Sequence, residues 1–215
     1  MKYYWKVLCL FIIVFLFIYV IPVSASLPLQ GKVIVVDAGH GGKDPGTVYQ
    51  NIYEKDINLS ISLYLREYLS EYGATVILTR DSDNDLSGGV TNHRKKTDFD
   101  NRIKIINNKY TDMYISIHLN YLSNTKYYGA QVFYNNDNEK LANSIQEYLN
   151  NNLDTDRGIK EIPTSTYMYK KLEKKGVLIE CGFLSNTMER NKLITEEYQR
   201  KVAKVIAAAL VNYYK

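Results

Sequence analysis

The sequence predicts an α/β fold built on a parallel sheet, and three observations carry that prediction. Val33, Ile34, Val35 and Val36 form an unbroken β-branched run, the pattern of a strand buried on both faces. A helical repeat follows in Ile57, Ile61, Leu65, Tyr68 and Leu69, and then a second apolar segment in Val76, Ile77 and Leu78, which together make a βαβ unit with a right-handed crossover. With 215 residues, 46% of them hydrophobic, the chain has enough apolar material for one domain with a real core.

Taken in order, Met1 to Ser26 reads as a targeting segment. Lys2 and Lys6 precede an uncharged apolar run from Val7 to Val23, and Val23-Ser24-Ala25 resembles a small-residue cleavage site. The run lies near the lower limit of about 17 to 25 residues for a spanning helix, so the segment is a signal peptide or a membrane anchor. Residues 27–215 are expected to form a single exported catalytic domain. Only Cys181 lies beyond the leader, which excludes an intrachain disulfide there.

The first strand starts near Lys32 and breaks into Asp37-Ala38-Gly39-His40-Gly41-Gly42. A polar loop over Lys43 to Tyr53 leads to a helix from Lys55 to Glu71, ended by Gly73. Thr75 to Thr79 is the second strand, and Arg80 to Lys96 is a polar loop long enough to suggest a function. Thr97 or Asp98 is placed to cap a short helix carrying Phe99, Ile103 and Ile106. The third strand, Met113 to Ile117, ends on His118. Ala130 to Tyr134 reads as a strand, Asn138 to Asn151 as a helix, Thr166 to Tyr169 as a strand, Val177 to Ile179 as a strand running into Glu180, and Glu196 to Tyr213 as a closing amphipathic helix.

Charge excludes one class of partner. Lys and Arg number 27 against 23 Asp and Glu, and without Lys2 and Lys6 the balance is 25 against 23, too weak an excess to argue for nucleic acid.

The chemistry gathers at strand ends. His40 and His118 both follow buried-type strands, and in open α/β sheets ligands bind outside the carboxyl ends of the strands. Glu180 ends a third such strand, and Glu54 begins the first helix at the same edge. Two histidines and one carboxylate with an open fourth position make a catalytic zinc site, and a further carboxylate beside it is the usual general base. His93, in Asn92-His93-Arg94-Lys95-Lys96, reads as a solvated loop residue. Cys181 is set aside as a nucleophile because successive strand residues point to opposite faces, so Glu180 and Cys181 do not share the site.

Four ordered motifs carry a resemblance to a known family. Asp37-Ala38-Gly39-His40-Gly41-Gly42, Glu54-Lys55-Asp56-Ile57-Asn58-Leu59, Ser116-Ile117-His118-Leu119-Asn120 and Ile179-Glu180-Cys181-Gly182-Phe183-Leu184-Ser185-Asn186 resemble the zinc-dependent N-acetylmuramoyl-L-alanine amidases of the amidase 3 type. The resemblance implies a mixed, mostly parallel six-stranded sheet flanked by helices on both faces. It also implies one Zn2+ per chain, with His40, Glu54 and His118 as metal ligands and Glu180 as the catalytic carboxylate. The implied reaction cleaves the amide between the lactyl group of N-acetylmuramic acid and the L-alanine of the peptidoglycan stem. Ala38 stands where the family usually has proline, and Tyr121 where it usually has a small residue.

The single domain behind an apolar leader, with the stretches Arg80 to Leu86 and Arg94 to Thr97, most resembles the sporulation-specific, cortex-modifying members. Asn120 to Tyr128 is too short to hold the inhibitory helical insertion of division amidases. In that reading the leader engages the membrane, and a membrane-attached lipoprotein docks near Lys43 to Tyr53 and helps order the site. A zinc deacetylase of wall amino sugars and a non-catalytic wall-binding or assembly factor are the alternative classes.

Overall fold

The computed structural model describes residues 26–135 and 137–215, so the leader, apart from Ser26, lies outside the described residues. Among those residues no helix is long and apolar enough to cross a membrane. The elements run β1 (Val33–Ala38), β2 (Val48–Tyr49), β3 (Ile52–Tyr53), α1 (Glu54–Glu71), β4 (Thr75–Leu78), α2 (Arg94–Ile106), β5 (Met113–Asn120), β6 (Gln131–Tyr134), α3 (Glu139–Asn152), β7 (Lys160–Glu161), β8 (Lys175–Phe183), α4 (Thr187–Leu193) and α5 (Glu196–Tyr213). Six strands form one sheet in the order β4-β1-β5-β8-β6-β7. Strands β4, β1, β5 and β8 are mutually parallel, β6 runs antiparallel to β8, and β7 is parallel to β6. The mixed, mostly parallel sheet expected from the sequence is therefore present, with its uninterrupted β-branched strand second from one edge.

Strand alternation decides which side chains can meet. Ile34 and Val36, Met113, Ile115 and Ile117, and Val177, Ile179 and Cys181 point to one face, where they pack under α1, α3 and α5. Each Ile, Val and Met among these fully buried side chains contributes about 1.5–3 kcal/mol from the water it leaves. Val35 and Tyr114 point to the other face, covered by Ile106 of α2 and by Ile162, Met168, Tyr169 and Leu172, with Leu178 packed alongside. Two-residue periodicity then carries Asp37, Ser116, His118 and Glu180 onto this second face as their strands reach the carboxyl edge.

Several elements differ from the sequence reading. Thr166 to Tyr169 is not a strand: Met168 and Tyr169 turn inward to cover Val35 and Tyr114, a 3-10 turn follows at Tyr169–Lys171, and the sixth strand is Lys160–Glu161. Helix α2 starts at Arg94 rather than at a cap on Thr97 or Asp98. Asp98 is no cap because its carboxylate is buried, accepting from Arg102 Nε at 2.9 Å and from the Leu86 amide at 2.7 Å. The Lys43 to Tyr53 loop contains the short β2–β3 hairpin, and α4 forms after a cap by Asn186, whose side chain accepts from the Glu189 amide.

The turn after β1 is conformationally costly. His40, Gly41 and Gly42 all have positive φ, at 60°, 129° and 54°, and for a residue with a Cβ such as His40 that conformation costs about 1–3 kcal/mol. Two buried arginines hold it. Arg102 donates to Asp37 at 2.6 Å and to the carbonyls of Ala38 and His40 at 2.7 and 2.5 Å. Arg80 donates to the carbonyls of Ala38 and Gly39 at 3.0 and 2.9 Å and reaches the Lys55 carbonyl at 2.8 Å. Burial works against the Asp37 charge, yet Arg102 and the hydroxyls of Ser116 and Thr79 hold the carboxyl below its ordinary range.

Arg102→Leu is therefore expected to destabilise the fold by about 3–5 kcal/mol, because Asp37 is left charged, buried and unpaired. Urea denaturation at neutral pH measures this. Because the Asp37 pKa is depressed in the fold, its contribution is present above the unfolded value and is lost as pH falls through the folded one, so the gap between wild type and variant narrows in acid.

Candidate metal centre

His40 leaves the carboxyl end of β1, His118 sits near the end of β5, and Glu54 opens α1 where that helix starts at the same edge. His40 Nε2 lies 3.2 Å from Glu54 Oε1, and His118 Nδ1 lies 3.2 Å from the same oxygen. The two imidazole rings are edge to face with centroids 4.9 Å apart. One ligand atom from each of the three residues falls within 4.8 Å of the others, so the group can hold a metal ion. The spacing fits that use: ligands bound at about 2.0–2.1 Å in a tetrahedron stand about 3.3 Å apart.

Local sequence builds this convergence. An added Cβ at Gly39 would run into the His118 ring, and one at Gly46 would lie 2.7 Å from both Glu54 Oε2 and His40 Cδ2. The glycines are there because the ring and the carboxylate occupy the space of a side chain. Glu54 is fixed at both oxygens: Oε2 accepts from the Thr47 amide at 2.8 Å, and Oε1 accepts from the Leu119 amide at 3.1 Å and from Asn58 Nδ2 at 3.2 Å. Burial opposes the Glu54 charge, but the two histidines more than offset it and hold the carboxyl well below its usual range.

Asp44 accounts for the orientation of His40. Its carboxylate lies 3.2 Å from His40 Nδ1, which keeps that nitrogen protonated and turns Nε2 toward Glu54. Burial disfavours the His40 imidazolium, yet Asp44 and Glu54 overcome it and push the ring up to about 9. The sequence reading missed Asp44, Asn58 and the two arginines. Only a spacing signal pointed to the first two: Asp44 stands four residues after His40, and Asn58 one helical turn after Glu54.

Glu180 is paired in register with His118 on the neighbouring strand β8. Its Oε2 is buried without a hydrogen-bond partner among the described residues. Burial, followed by the Glu54 charge and against the pull of His40, pushes this carboxyl up to about 8. Cys181 faces the opposite side of the sheet, fully buried in the core, and burial pushes its thiol far above the usual range. His93 is exposed, at the left-handed residue preceding α2. Tyr121 is half exposed in the loop after β5, and Asn120 accepts the Leu184 amide through its carbonyl.

A small cavity of about 80 Å³ opens beside the two histidines, lined on its far side by Phe99, Thr166 and Met168.

Comparison with known proteins places this geometry in a family. The chain is 44% identical over 196 residues to a germination-specific N-acetylmuramoyl-L-alanine amidase of Bacillus subtilis, a match covering 88% of this chain and 82% of the relative. Among solved structures, the CwlD amidase of Clostridioides difficile, determined in complex with the GerS lipoprotein, superposes with a TM-score of 0.79 at 41% identity, covering 85% of this chain and 98% of that one. The catalytic domain of CwlV, an N-acetylmuramoyl-L-alanine amidase from Bacillus (Paenibacillus) polymyxa var. colistinus, superposes with a TM-score of 0.74 at 32% identity, covering 85% and 97%. Residues 34–212, from the first strand into the last helix, match the N-acetylmuramoyl-L-alanine amidase profile, and the chain belongs to that family.

Proposed function

We propose that the chain hydrolyses the amide between the lactyl group of N-acetylmuramic acid and the stem L-alanine, using one zinc ion held by His40, Glu54 and His118, with Glu180 as the proton carrier. The observation that carries the reading is the convergence of three ligand atoms beside a buried carboxylate oxygen that has no protein partner. Two imidazole nitrogens and one carboxylate oxygen are a donor set suited to zinc with an open position. Bound there, zinc supplies Lewis acidity that polarises the lactyl carbonyl and acidifies water.

The protein's own groups do the rest. Asp44 and the Arg80 and Arg102 clamps present His40 in one orientation, and the hairpin and Asn58 fix Glu54. Glu180 takes a proton from the attacking water and delivers it to the alanine nitrogen, which must leave as an amine rather than an anion. Burial beside Glu54 favours the protonated carboxyl, and a cation held by the three ligands would favour the carboxylate, the form that takes the proton from water.

The site works on peptidoglycan and therefore outside the cytoplasmic membrane. Export rests on the leader Met1 to Ser26, cleaved or kept as an anchor ahead of the catalytic domain 27–215. The likeness to a germination-specific relative supports a role in the spore cortex, in the formation of muramic lactam. The lipoprotein complex of the CwlD relative supports a membrane-attached lipoprotein as partner. The edge formed by Lys43 to Tyr53 suits such docking because its hairpin leads directly into Glu54.

His40→Ala and His118→Ala are each expected to lose zinc and activity together, read by metal analysis and by amines released from purified peptidoglycan. Glu180→Gln should keep its zinc while turnover falls by about two orders of magnitude or more. Asp44→Ala should weaken zinc binding by about 10–100-fold, measured by competition with a chelator. Because His40 is pushed up to about 9 and must lose its proton to bind, apparent zinc affinity should rise about tenfold per pH unit from about pH 6 to about pH 8. Competition titrations at several pH values test that slope.

A further inference from the structure

On the α2 side of the centre lies an aromatic ledge ringed by ammonium groups. Phe99, which lines the cavity beside His40 and His118, stacks with Tyr167 at a centroid distance of 6.3 Å. Three lysines surround the Tyr167 ring: Lys171 at 4.0 Å, Lys96 at 5.7 Å and Lys170 at 5.9 Å, while Lys95 lies 5.7 Å from the Phe99 ring. Two carboxylates face this group. Asp100 lies 2.6 Å from Lys96 and 3.7 Å from Lys171 and accepts from the Tyr167 hydroxyl at 2.6 Å, and Asp44 lies 3.5 Å from Lys95. Four ammoniums against two carboxylates leave positive charge in excess on the α2 side of the cavity.

This positive excess has a match in the substrate. The glycan strand is built of N-acetylated sugars, whereas the stem peptide is anionic, because the residue after L-alanine is a glutamate joined through its side-chain carboxyl and so keeps a free α-carboxylate. We propose that the leaving peptide lies along the lysine ledge, with the L-alanine methyl in the cavity lined by Phe99, Thr166 and Met168 and the following α-carboxylate held by Lys96 and Lys171. Two extended residues reach about 7 Å from the scissile carbonyl, and the Phe99–Tyr167 stack, 6.3 Å between centroids, leads from the cavity toward the lysines. Ammonium groups flanking an aromatic face offer a carboxylate charge-assisted hydrogen bonds without the cost of full burial. The assignment rests on the amidase reading, because it takes its polarity from that bond.

The test titrates the zinc-loaded protein by calorimetry with L-alanyl-γ-D-glutamate and with the same dipeptide amidated at the α-carboxyl. Wild type should bind the acid about tenfold more tightly than the amide, and Lys96→Met/Lys171→Met should bind the two alike with its zinc content unchanged. Asp100→Asn, which removes the competing carboxylate, should widen the preference, an outcome that mere loss of structure does not produce. Equal binding of acid and amide by wild type, or a preference that survives the double lysine change, overturns the proposal. Reduced sedimentation of the double variant with intact walls, at unchanged dipeptide preference, assigns the lysines to an anionic wall polymer and also overturns it. Turnover of a muramoyl-L-alanyl substrate is followed in parallel: a preserved binding pattern without turnover supports the ledge and faults the reaction assigned to the centre.

Discussion

The pairing of Arg102 with Asp37 is the constraint on which the rest of the site depends. Arg102 of α2 and Asp37 of β1 are buried against each other, at 2% and 1% exposure, and removing the guanidinium strands the Asp37 charge. The pair does more than neutralise itself. The same guanidinium reaches two backbone carbonyls of the turn that follows β1, so helix α2, strand β1 and the left-handed His40 are tied at one point. Arg80 adds a second tie, from the end of β4 to the start of α1. An interior made only of aliphatic groups would place the strands equally well, but it would leave the turn free to relax out of positive φ.

The long loop between β4 and α2 belongs to the same scaffold. Asp83 accepts from the Gly42 amide at 2.8 Å and receives Lys55, so the loop braces the outer side of the His40 turn. Asp85 accepts from Arg94 at 2.8 Å at the start of α2. A segment whose length alone suggested a function is held by its carboxylates against the elements around His40 and Glu54. The cation–π stack of Arg190 on Tyr49, at 3.6 Å, does the same for the β2–β3 hairpin ahead of Glu54.

Much of this was legible in the sequence, for physical reasons that can be named. Val33 to Val36 announced a central strand because no polar residue interrupts it, and β-branched residues favour that backbone. His40, His118 and Glu180 were legible because each follows an apolar strand, and parallel strands bring their carboxyl ends to one edge. Glu54 needed the resemblance to be read as a ligand, since the residues alone left open which of two carboxylates would hold a metal. What stayed hidden depends on long-range polar contacts. Nothing in Lys-Thr-Asp-Phe-Asp-Asn-Arg says that Asp98 is buried and pairs with Arg102 rather than capping a helix. Thr166 to Tyr169 has strand-like composition, but its large side chains are used to cover a face that only one long helix protects.

The parallel register of β1, β5 and β8 has a kinetic consequence. The three converging side chains and the adjacent carboxylate come from positions 40, 54, 118 and 180, so the centre closes loops that span most of the domain. Parallel pairing of this kind is slow, because the entropy of closing each loop is lost before the contacts that reward it are made. Strand β8 is the last of the sheet to leave the ribosome, and it supplies Glu180 beside His118. A nascent chain that lacks β8 therefore holds no complete group, and the four side chains meet only once that strand lies against β5.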